Sequence, residues 1–295
     1  MASPKTMSTT QLAERPKRLI AWDTSSSVGV IVALEESVAR SSAQSGYRVV
    51  VEWKLSLETS KHSERLLWAI DTVLESAGWK PEDLTAIGVG VGPGSFTGLR
   101  IGITTAKILA SQLKVPLVPI SSLALLARSA VEQVTWSRPH QRTWILALQD
   151  AAKGEWFTLV GTVQAVQNCV ATADGDLPGA WARGVKERTL SPDALIEEAK
   201  KLLKKNRTQS WIATGLAVER YAEQLDSLPA ARRIRVNSSF EPRALAQMTW
   251  EGFQQGILRS SSQIRPHYLR DSDAEVKLKK GLLKPPPLIH RTGIA

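Results

Sequence analysis

The chain of 295 residues has one cysteine, Cys169, so it can form no internal disulfide and no cysteine-rich zinc site, which suits a reducing, cytoplasmic setting. No stretch approaches the roughly 18 unbroken apolar residues of a membrane helix. Met1 to Pro16 is polar and lacks the apolar core of a secretory signal, and reads as a disordered tail or as residues ahead of a start at Met7. Histidines are few: His62, His140, His267 and His290 form no His-x-x-x-His or His-Glu-x-x-His string, so the usual helical metal site is missing. There is no Gly-x-Ser-x-Gly nucleophile elbow, and Cys169 has no activating neighbour. Standard phosphate loops are also absent: Gly98 precedes Leu99 and Arg100 instead of Lys, and Gly90-Val91-Gly92 is followed by Ser95 where a dinucleotide fingerprint needs glycine.

What is present is a real core, with 43% apolar residues, in a length that fits one large or two modest domains. The formal charge of +10 sits mainly at the ends. Residues 1–18 carry a net +3 and residues 259–295 a net +5, which leaves +2 for the body. A basic, nucleic-acid-binding body is therefore not indicated, although the tails alone offer an RNA-binding reading. Residues 271–295, with Pro285-Pro286-Pro287, read as a disordered or polyproline extension.

Periodicity orders the first half. Leu19 to Trp22, Val28 to Leu34 and Arg48 to Leu57 read as three strands in a meander. His62 to Ala77 is helical, with Leu66, Ala69, Ile70, Val73, Leu74 and Ala77 on one face and Gly78 as its stop. Ala86 to Val91 is a strand, Leu99 to Leu113 a helix, and Val115 to Ile120 another strand. The order βββαβα argues an α/β domain. Further on, Ser121–Val131 reads as a helix, Arg142–Leu148 and Glu155–Thr162 as paired strands, Ser191–Lys205 as a helix with Pro192 at its first position, Trp211–Gly215 as a strand and Leu245–Leu258 as the last helix. Residues 171–184, rich in Gly, Pro and Asp, read as a loop.

The stretch around which the chain is organised is Gly92-Pro93-Gly94-Ser95-Phe96-Thr97-Gly98-Leu99-Arg100, between a strand and a helix. Its glycines allow close approach to the main chain, and Ser95 and Thr97 are candidate helix caps. Such a helix start suits an anion, against the plainer reading of a tight turn. Arg100 in the first turn opposes the helix dipole unless a carboxylate or phosphate is near. Asp23-Thr24, closing the first strand, supplies either a ligand or an Asx-turn.

As a whole this string resembles the hallmark of the TsaB (YeaZ) family, the dimerisation subunit of the bacterial machinery that places threonylcarbamoyl on adenosine 37 of tRNA. Other matches are His62-Ser63, the turn Asp150-Ala151-Ala152-Lys153-Gly154-Glu155-Trp156-Phe157, and the close Pro266-His267-Tyr268-Leu269-Arg270. In that turn Ala152 stands where the family has Arg, and Trp156-Phe157 where it has Val-Tyr. The resemblance implies an actin-like (ASKHA) α/β fold of two RNase H-like subdomains, mixed sheets flanked by helices. It implies an N-terminal subdomain over 18–120 after a tail at 1–17, a C-terminal subdomain over 121–258, and a closing segment with basic tail over 259–295. It also implies a residual nucleotide or anion cleft at Asp23, Thr24, Gly92, Gly94, Ser95, Thr97 and Arg100, with no metal and no catalytic residue of its own.

The helices carry apolar groups beyond one buried stripe: Ile101 and Ile108 on the second, and Trp68 among Glu64, Asp71 and Glu75 on the first. Packing within the chain explains them equally well. The resemblance implies a partner interface at Leu67, Trp68, Asp71, Ile101, Thr105 and Ile108. By the same resemblance, the chain pairs with the catalytic subunit TsaD, meets the ATPase TsaE and tRNA through that complex, and forms a homodimer when alone. It would need no cofactor, ATP and metal acting at the partner subunits. The alternative is a phosphotransferase or ATPase of the same superfamily, with Asp23 at the nucleotide. A peptidase label, sometimes attached to such proteins, finds no support in these residues.

Overall fold

The computed structural model describes residues 16–37, 46–57, 62–134, 143–151, 154–167, 186–206, 210–215, 218–230, 232–236, 239–269 and 281. The expectations for the N-terminal tail, the 171–184 loop, the 271–295 extension, Cys169 and the Ala152-Lys153 pair lie outside them.

Strands β1 (Arg18–Asp23), β2 (Val28–Glu36) and β3 (Tyr47–Ser56) form an antiparallel meander. Helix α1 (His62–Ala77), strand β4 (Ala86–Gly92), helix α2 (Phe96–Leu113) and strand β5 (Leu117–Ser121) follow, with β4 and β5 added in parallel. The sheet order is β3-β2-β1-β4-β5. Helix α3 (Ser122–Gln133) leads into a second sheet built from β6 (Thr143–Asp150), β7 (Trp156–Thr162), β8 (Lys186–Leu190), β9 (Ser210–Thr214) and β10 (Arg232–Val236). Its order, β8-β7-β6-β9-β10, repeats the first: two antiparallel pairings, then two parallel ones. Helices α4 (Val163–Gln167), α5 (Pro192–Lys205), α6 (Ala222–Asp226) and α7 (Pro242–Gln254) complete it. This duplicated topology is the actin-like arrangement of two RNase H-like halves.

Strand side chains alternate between faces, so each sheet feeds two cores. On β1, Ile20 and Trp22 enter the outer core with Leu66, Val73, Leu99 and Ile103 of α1 and α2. Leu19 and Ala21 enter the central core, shared with α3, α7, and Ile145 and Ala147 of the second sheet. Trp144, Leu146 and Leu148 face the far core under α5. The strands at the middle of the stack are apolar throughout because both faces are covered. Helix α7 lies against the first sheet: a Cβ on Gly88 of β4 would sit 2.6 Å from Thr249 Oγ1. Arg128 of α3, almost fully buried, holds Glu251 of α7 through bonds of 2.6 and 3.0 Å.

Two strands went unread in the sequence, β8 (Lys-Glu-Arg-Thr-Leu) and β10 (Arg-Arg-Ile-Arg-Val). Both are sheet edges, where one face meets water and the apolar signal thins. Helix α2 starts at Phe96, three residues ahead of the expected Leu99, because Ser95 is its cap and its Oγ accepts from Gly98 N at 3.2 Å.

Candidate functional site

The glycine loop is bound to the end of β1 by main-chain contact. Ser95 N donates to Ser25 O at 2.7 Å, and Thr24 Oγ1 donates to Gly98 O at 2.7 Å. Gln149 Nε2, from the second sheet, donates to the same Ser25 carbonyl at 3.0 Å. A Cβ on Gly98 would fall 1.9 Å from Thr24 O, and one on Gly94 2.5 Å from Ser25 O. The glycines thus permit the β1 turn and the α2 start to touch. Gly92 has φ +105° and ends in a cis bond to Pro93. Beside this junction lies a cleft of about 350 Å³ lined by Thr24, Ser26, Ser27, Leu57, Ser95 and Ile101.

Of the residues expected at a nucleotide or anion cleft, Asp23 and Thr24 are buried, while Ser95, Thr97 and Arg100 are exposed. Asp23 Oδ1 accepts from Ser25 N at 2.7 Å, the Asx-turn, and Oδ2 accepts from Ser122 Oγ at 2.6 Å. Ser122 Oγ in turn accepts from Gly92 N at 3.2 Å. Gly90 leaves room for the carboxyl, since a Cβ there would lie 2.1 Å from Asp23 Oδ2. Burial raises the Asp23 pKa above its ordinary 3.8, against the lowering by Ser122 and Ser25.

A folded-state pKa raised in this way means that the folded protein holds the proton to higher pH than the unfolded chain. Asp23's contribution to stability is then complete below 3.8 and is lost as pH rises through the raised value. Wild type is expected to lose stability relative to Asp23→Asn as pH rises above about 4, and to level off once the raised value is passed. Urea midpoints of both proteins across that range check this; a constant difference would refute it.

Among the described residues Arg100 meets no carboxylate. Its guanidinium lies over the Phe96 ring, Cζ 3.7 Å from the centroid, and no ion pair holds it among the described residues.

The outer face of α1 and α2 is the second feature. Trp68 and Ile108 are each 58% exposed, and Leu67 of α1 is exposed beside Trp68. Asp71 is exposed as well, whereas Thr105 and Ile101 are half-buried, Ile101 packing on the outer core. Trp68 leans edge-on against Trp53 of β3, ring centroids 5.1 Å apart. Three large apolar side chains on neighbouring helices are thus more than half exposed.

Residues 259–269 return to both sheets. Arg259 and Leu117 exchange two main-chain bonds of 2.8 Å, Ile264 is fully buried, and His267 N donates to Val91 O at 2.7 Å. His267 Nε2 lies 3.0 Å from Glu187 Oε2 of β8, an ion-pair distance and not an aligned hydrogen bond. Glu187 also accepts from Ser121 Oγ, and Leu269 O from Thr189 Oγ1 at 3.2 Å. Sequence reasoning passed over Ser121, Ser122, Gln149 and Glu187, whose partners are 30 to 124 positions away and leave no local pattern. Among the described residues no group of His, Cys, Asp or Glu is placed to hold a metal, and no helix is long and apolar enough to cross a membrane.

A family model described as TsaD, tRNA N6-adenosine threonylcarbamoyltransferase, matches residues 56–278, more than half of the chain. A relative from Haemophilus influenzae, "tRNA threonylcarbamoyladenosine biosynthesis protein TsaB", is 29% identical over 250 residues, which is 85% of this chain and 96% of the relative. Its Escherichia coli counterpart is 27% identical over 220 residues, 74% of this chain and 84% of that protein. Among solved structures, YeaZ from Pseudomonas aeruginosa superposes with a TM-score of 0.59 at 22% identity, covering 86% of this chain and all of the other, and shares the fold.

Proposed function

Because this chain belongs to the TsaB (YeaZ) family, within the wider set matched by the tRNA N6-adenosine threonylcarbamoyltransferase model, we propose that it acts in tRNA threonylcarbamoyladenosine biosynthesis as a non-catalytic partner of TsaD. In this reading TsaD transfers threonylcarbamoyl to N6 of adenosine 37 in tRNAs reading ANN codons, and this chain holds TsaD in its active arrangement. The observation that carries the reading is the exposure of Leu67 and Trp68 on α1 and of Ile108 on the neighbouring α2. A second set of helices laid on them would remove these side chains from water, each contributing roughly 1.5–3 kcal/mol. Asp71, Ile101 and Thr105 would frame the contact. In the absence of TsaD a second copy of this chain takes its place.

The chain needs no cofactor of its own under this proposal; ATP and metal act at TsaD and TsaE. The enclosure of Asp23 by Ser25, Ser122 and Gly90 supports this, since a phosphotransferase would need that carboxylate free for a nucleotide's metal. Light scattering after size exclusion, on the chain alone and mixed with TsaD of the same organism, is the test. A stable heterodimer replacing a monomer or homodimer is expected. Two folded proteins that elute separately across a range of salt would overturn the proposal, and ATP turnover by the isolated chain that Asp23→Ala removes would replace it with the phosphotransferase reading.

A further inference from the structure

A second exposed cluster stands apart from the apolar stripe of α1 and α2 in its chemistry. Phe96, at the first position of α2, is 39% exposed, and Tyr268 of the closing segment 44%. Their rings lie 5.3 Å apart at an angle of 32°, and the Arg100 guanidinium covers Phe96 at 3.7 Å. Two features of this cluster are left open among the described residues. The aromatic rings expose surface to water, and Arg100 sits in the positive field of a helix start with no carboxylate among the described residues.

We propose that Phe96, Arg100 and Tyr268 form a contact surface for an unpaired stretch of RNA, with a base stacked on the exposed aromatic surface and a phosphate at Arg100. The inference rests on the tRNA-modification reading above and adds to it a place on this chain where the nucleic acid is met. An anion beside Arg100 resolves the dipole conflict. A base suits the rings because every base has a π-face, and stacking on aromatic and guanidinium planes is the common device for single-stranded nucleic acid. The platform is held in place by the packing around it: Ile264 is fully buried, His267 N is bonded to Val91 O at 2.7 Å and Leu269 O to Thr189 Oγ1 at 3.2 Å. Tyr268 lies between those last two anchors.

Charge points the same way. The chain runs on from Leu269 directly into Arg270, Lys277, Lys279, Lys280, Lys284 and Arg291, against Asp271, Asp273 and Glu275. The segment that follows the platform in the sequence therefore carries a net charge of +3, which a polyanion complements. A protein partner would find a better match in the uncharged stripe of Leu67, Trp68 and Ile108.

The test uses the full chain and fluorescence anisotropy with two labelled RNAs of equal length, a hairpin with an unpaired loop and a continuous duplex. The hairpin is expected to bind more tightly, since paired bases are unavailable for stacking. Tyr268→Ala should weaken hairpin binding roughly tenfold, while Tyr268→Phe, which keeps the ring and guards against a folding effect, stays within about twofold of wild type. Arg100→Gln should reduce the slope of log K against log salt by about one. Equal affinity for hairpin and duplex, no detectable binding, or wild-type binding by Tyr268→Ala would each overturn the inference. Light scattering with TsaD, run in parallel, separates it from the reading on which it rests. In Tyr268→Ala, intact pairing with lost RNA binding supports the platform. In the wild type, absent RNA binding with intact pairing removes the platform and leaves the partner role standing. Lost pairing with unchanged RNA binding assigns Phe96 and Tyr268 to the protein interface instead.

Discussion

Ile108→Glu is expected to weaken the proposed association of this chain with TsaD by about 30-fold or more, the loss of about 2 kcal/mol or more that an apolar anchor supplies, with no change in thermal stability. Ile108 is the cleaner probe because it is 58% exposed on α2 and belongs to none of the buried cores, so a carboxylate there costs the folded chain little. Trp68→Glu should act in the same direction on pairing but also loses the edge contact with Trp53, about 0.5–1.5 kcal/mol of stability. Ile101→Glu, attractive from the sequence, mixes the two effects more heavily, since Ile101 is half-buried and packs against the outer core. Isothermal titration of each folded variant with TsaD gives the affinity. Wild-type affinity in both Ile108→Glu and Trp68→Glu would move the interface elsewhere.

Gly98→Ala is expected to cost roughly 3 kcal/mol or more, because the added methyl group meets a main-chain oxygen that cannot move aside. The Cβ would lie 1.9 Å from Thr24 O, and Thr24 is itself tied to Gly98 O through its hydroxyl at 2.7 Å. On helix propensity alone alanine would be favoured by about 1 kcal/mol, so the sign of the effect decides between local preference and the tertiary contact. For a protein of this size the loss corresponds to a fall in Tm of roughly 6–12 °C. Gln112→Ala, at an exposed position of the same helix, should change stability by less than about 0.5 kcal/mol and serves as the control. An unchanged or raised Tm in Gly98→Ala would mean that the β1 turn and α2 do not approach as described.

Both predictions depend on a division between local pattern and spatial arrangement. The short apolar runs of β1, β2 and Ala86 to Val91 and the periodic face of α1 are visible in the sequence because a strand covered on both faces and a helix covered on one each leave a local pattern in their own residues. The cap at Ser95 was also legible as a residue type, but the true start of α2 needed the observed Oγ to Gly98 N bond. The glycine string identified a family resemblance, and the comparisons place the chain in that family.

By itself, then, the sequence determined the element types of the first half, the order βββαβα and the poverty of catalytic groups. Only the tertiary structure decided that the second half repeats the first sheet order, since its strands β8 and β10 are charged edges whose pairing partners supply the signal that their own residues lack. It also decided that Asp23 is enclosed by Ser122, 99 positions away, and that Arg100 rests on Phe96 while Tyr268 packs against that same ring. Periodicity reports which side chains share a face, but whether that face is covered depends on what the rest of the chain lays over it. That is why Ile103 of α2 is core while Ile108, on the same helix, faces water.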